Sequence, residues 1–315
     1  MLFVVLGSIA AIWLAAIVYA YWPAGQPEVP ATGLASPADR FIRVEGLDLR
    51  YRSWGQPDRR KPTALLIHGF ANSLQSFRLL APLLENRYHV VAFDMPGYGL
   101  SDKPAPFDYR NPHQAAIASR LVEALGLKQV VVAGHSLGGA IALRVALLSP
   151  AVVGLVVMNP GIITTGVPAL AKFPVFPIPR LQARLFGNPG FRGRLLRRSF
   201  VNPAIVTDEV IRDLGLTAMS KGYRRGMTAL MGQYNEADEL SLLSELTVPS
   251  LIVWGAEDRG KPAGEFDELR AGMPLDTAVL VPGAGHYVHE EAPEATAAAM
   301  LAFADRLAGI DHGHG

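Results

Sequence analysis

Three residues far apart in the chain could together perform nucleophilic chemistry. Ser136 lies in Gly134-His135-Ser136-Leu137-Gly138-Gly139, Asp258 in Gly255-Ala256-Glu257-Asp258, and His286 in Gly283-Ala284-Gly285-His286. An alcohol is a poor nucleophile at neutral pH. Ser136 therefore needs an imidazole to take its proton, a carboxylate to orient that imidazole, and donors aimed at the developing oxyanion. His286 is the leading base, because the glycines before it leave its ring free to reach across a sheet end. His289 follows three residues later and is expected in the next turn. His68 and His135 sit in motifs where backbone shaping or local hydrogen bonding explains them better, and His312 and His314 belong to a terminal HGHG expected to fray rather than bind metal. Asp258 is preferred to Glu257 as the orienting acid. The oxyanion donors are expected to be the backbone N–H of Leu137, at a helix N-terminus, and that of Phe70, just after the turn at Gly69.

A Gly-x-Ser-x-Gly pattern alone equally describes a tight turn that packs a helix on a strand, so the surrounding elements decide its meaning. Here it ends the apolar run QVVVA and opens a helical pattern, where a sharp turn lifts a hydroxyl off a sheet. Five further runs, TALLIHG, HVVAFD, GLVVMN, SLIVWG and TAVLVPG, are short and almost wholly apolar, as strands buried on both faces are. Helices are expected over about 74–86, 112–126, 137–148, 262–272 and 292–308. Before them, RFIRVEGLDLRYRSWG alternates on both sides of Glu45-Gly46 and predicts an antiparallel hairpin. Alternating strands and helices predict a mostly parallel, doubly wound α/β fold with its site at the carboxyl ends of the strands. The order Ser136, Asp258, His286 suits that fold.

About 90 residues separate GLVVMN from SLIVWG, which marks an insert over 160–235 between core segments 40–159 and 236–310. It holds eleven basic and three acidic residues, a net +8, whereas the rest of the chain has 18 basic and 25 acidic, a net −7. The basic residues read either as a solvated face or as a surface for anionic lipid headgroups. Phe173, Val175, Phe176, Ile178, Leu181, Leu185 and Phe186 are candidates to line an acyl pocket. The overall charge of +1 gives no reason to expect nucleic acid as a partner, and the absence of cysteine excludes disulfides, thiol nucleophiles and thiolate metal sites.

Met1 to Trp22 carries no charged side chain, and a helix of that length would span about 30 Å, the thickness of a bilayer's hydrocarbon. It reads as a single transmembrane anchor, with Trp13, Tyr19, Tyr21 and Trp22, mostly toward its C-terminal end, as an aromatic belt. The competing reading is a signal peptide cut near Val18-Tyr19-Ala20, giving a secreted or periplasmic protein; no Lys or Arg precedes the run, which weighs against it. The Pro- and Gly-rich residues 23–39 read as an extended linker, with the folded domain starting near Arg40.

The joint occurrence of His68-Gly69-Phe70, Asp94-Met95-Pro96-Gly97-Tyr98-Gly99 with Ser101-Asp102, the turn around Ser136, Trp254-Gly255 with Asp258, and Gly285-His286 resembles the α/β-hydrolase superfamily over about residues 40–307. The resemblance implies a helical cap after the sixth strand, no metal or organic cofactor, and a structural role for Asp94 and Asp102 in a loop lining the site. Serine at position 136 disfavours the dehalogenase and epoxide-hydrolase branches, which use aspartate there. The expected activity is hydrolysis of a carboxylic, lipid-like ester by a Ser-His-Asp triad; with an anchor and a basic insert, the chain resembles membrane-anchored monoacylglycerol lipases. A carbon–carbon bond hydrolase acting on ring-cleavage diketones uses a similar framework. A membrane-tethered binding module without turnover is the remaining alternative.

Overall fold

An apolar run such as Ala64-Leu65-Leu66-Ile67 sends alternate side chains to opposite faces of a strand, so it needs cover on both. The computed structural model, which describes residues 2–22, 28–58, 60–164, 174–233 and 238–312, supplies that cover. Leu65 and Ile67 join one core beneath the helices α3 (Asn111–Ala124) and α4 (Leu137–Leu148). Ala64 and Leu66 join a second core with Phe77, Leu84, Met300 and Phe303, the last two from α11 (Pro293–His312).

Eight strands form one sheet: β1 (Arg40–Val44), β2 (Leu47–Trp54), β3 (Thr63–Ile67), β4 (His89–Phe93), β5 (Val130–His135), β6 (Val152–Met158), β7 (Ser250–Gly255) and β8 (Leu275–Val281). Their order is β1-β2-β4-β3-β5-β6-β7-β8. The β1–β2 and β2–β4 pairs are antiparallel, and all the others are parallel. Glu45 and Gly46 make the hairpin turn with φ of 48° and 82°, both in the left-handed region that such a two-residue loop demands. The chain reverses its direction of winding at β3, between β4 and β5. The crevice beyond the carboxyl ends there is where open α/β sheets place their sites.

Between β6 and β7 the described chain is helical: α5 (Ile178–Phe186), α6 (Pro189–Ser199), α7 (Asp208–Met219) and α8 (Tyr223–Gln233). Asn188 caps α6 and Thr207 caps α7 with side-chain oxygens, and Leu196, Phe200, Val206 and Leu214 form a small core of their own. Residues 165–173 and 234–235 of the expected insert, Phe173 among them, lie outside the described residues, as do residues 236–237 and His314.

Four expectations need correction. The helix over 74–86 is instead a 3-10 turn, Leu74–Phe77, followed by α2 (Ala81–Leu84). Pro82 has no N–H to give the carbonyl four residues earlier, so the two turns cannot merge. The helix expected over 262–272 begins only at Glu265, as α9 (Glu265–Gly272), because Gly264 before it has φ of 90°, a left-handed conformation that no α-helix contains. The last helix, preceded by the short α10 (Val288–Glu291), runs on to His312 because no proline interrupts it. The segment expected to be an extended linker is docked where it is described. Glu28 accepts the backbone N–H groups of Gly222 and Arg224, Val29 bridges to Ser220, and Asp39 pairs with Arg52 at 2.6 Å.

The N-terminal helix α1 (Leu2–Tyr21) is long and apolar enough to cross a membrane, with a mean hydropathy of 2.3. Its far end rests on α5. The guanidinium of Arg184 lies 4.6 Å from the Tyr19 ring centre, that of Arg180 lies 5.5 Å from Tyr21, and Phe176 meets Tyr21 at 5.9 Å.

Candidate active site

The turn after β5 is strained in a way only its neighbours' small size permits. Ser136 has φ of 51° and ψ of −121°, an unfavourable conformation for a residue with a Cβ. A Cβ on Gly134 would collide with the Gly138 carbonyl, and one on Gly138 with the carbonyls of Ile67 and His68. Leu137 is the first residue of α4, so its N–H has no acceptor within the helix. The chain after β3 passes close by: a Cβ on Gly69 would sit 3.2 Å from that of Ser136. Phe70 thus follows a turn packed against Ser136 and lines the same cavity, and Leu137 adjoins Ser136 in the chain.

His286 Nε2 is 3.1 Å from Ser136 Oγ, and its Nδ1 is 2.7 Å from Asp258 Oδ2. An ionised carboxylate only accepts, so the imidazole proton belongs on Nδ1 and Nε2 is left to accept from Ser136. Burial would raise the pKa of Asp258. The hydrogen bond and charge of His286, the N–H of Gly260 and the amide of Asn159 outweigh it and hold the carboxyl below its ordinary value. This chain of contacts has the parts needed to turn a hydroxyl into a nucleophile.

Asn159, at the end of β6, escaped the sequence reading. Its Nδ2 donates to Asp258 Oδ2 at 2.8 Å while its Oδ1 accepts the Gly255 N–H at 2.9 Å, so it locks the carboxylate to its own strand end. The signal was a lone polar residue closing the apolar run GLVVMN. Glu257 faces the same cavity but does not approach His286; its Oε1 accepts the Gly283 N–H at 3.3 Å.

Three further histidines hold or pack the structure around the site. His135 Nε2 lies 2.8 Å from the backbone oxygen of His286, so it carries the proton and fixes the loop of His286. Burial pushes the pKa of His135 well down, with His289 and His286 adding to the effect. His68 Nε2 accepts the Met95 N–H at 3.2 Å, which ties the Gly69 turn to the loop of Asp94. His289 is wholly buried beside His135 and Phe77, and burial lowers its pKa to about 3. Asp94 accepts the N–H groups of Leu74 and Leu100 and pairs with Arg50, and Asp102 accepts the N–H of Asp48. Both acids hold loops. Among the described residues, no cluster of three or more metal-binding side chains occurs.

A cavity of about 530 Å³ opens above Ser136 and His286. Of the residues proposed to line it, Leu185 and Phe186 do. Val175 and Phe176 are exposed, and Ile178 and Leu181 do not line it, because one side of α5 turns toward α1 and the surface. Phe191, Leu195, Leu196, Phe200, Leu214 and Met231 complete the apolar wall. They were hidden among the arginines of the insert.

The fold and site define an α/β enzyme with a partly buried hydroxyl–imidazole–carboxylate chain. The chain belongs to the alpha/beta hydrolase family, whose model matches residues 64–299, and it is a hydrolase of that family. An uncharacterized hydrolase of Bacillus subtilis, YugF, is 31% identical over 82% of this chain and 94% of its own length. A 2-hydroxy-6-oxononadienedioate/2-hydroxy-6-oxononatrienedioate hydrolase of Pseudomonas putida is 30% identical over 82% of this chain and 93% of its own. The crystal structure of a membrane phospholipase A, described as a bacterial virulence factor, is 28% identical with a TM-score of 0.70, covering 98% of this chain and 99% of that one.

Proposed function

We propose that the protein is a membrane-anchored serine hydrolase that cleaves a carboxylic, lipid-like ester. The observation that carries this reading is the Ser136–His286–Asp258 hydrogen-bond chain at the base of a largely apolar cavity. His286 Nε2 takes the Ser136 proton as Oγ attacks the ester carbonyl, and the N–H groups of Phe70 and Leu137 stabilise the oxyanion. His286 then protonates the leaving alcohol. Next it takes a proton from water, which attacks the acyl-enzyme; the acid departs and Ser136 regains its proton. Asp258 keeps the imidazole in the required tautomer throughout.

The anchor reading rests on α1 being apolar along its length and on Tyr19 and Tyr21 stacking against Arg184 and Arg180, contacts that signal cleavage near Ala20 would break up. Four helices between β6 and β7 act as the cap. The similarity to the Pseudomonas putida enzyme sustains a second reading, carbon–carbon bond hydrolysis of a dienol-type diketone. Ser136→Ala is expected to abolish both p-nitrophenyl ester turnover and labelling by a fluorophosphonate probe. Retained turnover would overturn the assignment, activity on the diketone without ester turnover would favour the second reading, and a wild-type chain that the probe never labels would favour a binding module.

A further inference from the structure

Two arginines of the described chain are deeply buried, and they are neutralised differently. Arg50, 2% exposed, is paired with Asp94 at 2.7 Å and lies 3.9 Å from Asp39. Arg192, 9% exposed, has no carboxylate partner among the described residues. One of its terminal nitrogens donates to the carbonyl of Ala71, and the other reaches the Phe186 carbonyl at 3.5 Å. A guanidinium carries five N–H donors, and among the described residues these two carbonyls take two of them. Arg192 also lines the cavity that contains Ser136 and His286.

Burying an unpaired cation is costly, and proteins keep such a charge where something compensates it. Carbonyl dipoles of Ala71 and Phe186 compensate part of it. A clamp on the Ala71 turn would need no charge, since a neutral amide can donate to two carbonyls. The position is telling as well: Ala71 follows Phe70, so the guanidinium lies one residue from the proposed oxyanion donor. Arg198, Arg259 and Lys261 also line the cavity, against Glu257 and Asp258. Asp258 is already engaged with His286, and Lys261 with Glu265 at 2.9 Å.

We propose that Arg192 is an anion subsite of the acyl cavity, so that the preferred ester carries a phosphate or carboxylate group close to the scissile carbonyl. This deepens the ester-hydrolase reading and rests on it for the word substrate, but the binding itself can be tested without turnover. An oxyanion there would take the unused N–H donors in a charge-assisted, bidentate contact, while the alkyl portion would lie along the wall of Phe186, Leu195 and Leu196. A detached acidic ligand and an acidic group within an ester share this chemistry.

The test uses full-length Ser136→Ala protein in neutral detergent, titrated by calorimetry with hexyl phosphate, heptanoate and hexanol. Hexyl phosphate or heptanoate is expected to bind at least tenfold more tightly than hexanol, and Arg192→Gln to remove about tenfold to a hundredfold of that preference. Whichever acid binds more tightly identifies the group. Arg192→Lys should retain part of the preference, which a purely structural clamp would not require. With active wild-type enzyme, KM for a mono-p-nitrophenyl dicarboxylate is expected to lie below that for the neutral p-nitrophenyl ester of the same chain length. Equal binding of the alcohol and both acids would overturn the subsite, as would an acid preference that survives Arg192→Gln. If the variants do not fold, competition in the wild type decides: hexyl phosphate must inhibit neutral-ester turnover at least tenfold better than hexanol. Acid binding without any ester turnover would leave the subsite standing and refute only the ester reading, whereas equal KM for the acidic and neutral esters would overturn the claim that the preferred ester is acidic.

Discussion

Replacing His289 by leucine tests whether a buried, neutral imidazole makes this fold sensitive to mild acid. The ring is fully buried, neither nitrogen has a hydrogen-bond partner among the described residues, and burial, with the nearby Arg78 and His286, lowers its pKa from 6.5 to about 3. Between those two values the unfolded chain binds a proton at this site and the folded one does not, so stability rises with pH. The contribution is fully present above pH 6.5 and is lost as pH falls toward 3. The slope for one such group is about 1.4 kcal/mol per pH unit, so lowering the pH from 7 to 5 should cost about 2 kcal/mol through His289 alone. His289→Leu removes that term, together with two unsatisfied nitrogens, and keeps an apolar filling between His135 and Phe77. Denaturant unfolding of both proteins in detergent, followed by tryptophan fluorescence at pH 7, 6 and 5, measures the difference. The leucine variant should lose about 2 kcal/mol less than wild type across this range; parallel pH profiles would refute the buried-neutral assignment.

Asn159→Ala removes one charge-assisted donor from Asp258 and the acceptor of the Gly255 N–H. A loss of about tenfold to a hundredfold in kcat with little change in KM is expected, and an unchanged kcat would show that Asn159 does not hold the carboxylate. Two truncated forms, starting at Glu28 and at Arg40, differ in the docked segment. The shorter one leaves Arg50 and Arg52 without Asp39, whose side chain is 1% exposed, and should be less stable by about 3–5 kcal/mol in denaturant. Equal stability would refute the docking of residues 28–39.

The core of the fold was legible because its strands are buried on both faces. Val130 to Ala133 and Leu251 to Val253 cannot be mistaken for half-exposed strands, and the glycines around Ser136 leave few other turns. Asp258 and His286 were legible because each follows a strand by only a few residues, so a short loop fixes which end of the sheet it occupies. The insert was legible only as an interruption. Its charge concealed the pocket wall: Phe191 and Leu195 sit four residues apart on one face of α6, close in sequence to Arg194 and Arg197, and composition does not separate the two faces. The docked 28–39 segment was unreadable for a different reason. Glu28 and Asp39 find partners at Arg224 and Arg52, and nothing local in the Pro- and Gly-rich stretch announces contacts that distant.

The sequence by itself determined the order of the core strands, the sharp turn at Ser136, the candidate trio Ser136, Asp258 and His286, and the apolar N-terminal helix, because each follows from local pattern and chain order. Only the tertiary structure decided that Asn159 braces Asp258, that His135 fixes the His286 loop, that α6 rather than the whole of α5 walls the cavity, and that Arg192 enters it without an acid. Those outcomes depend on which surfaces meet after the sheet closes. The free energy of a buried polar group is set by the partners that packing brings within hydrogen-bond range.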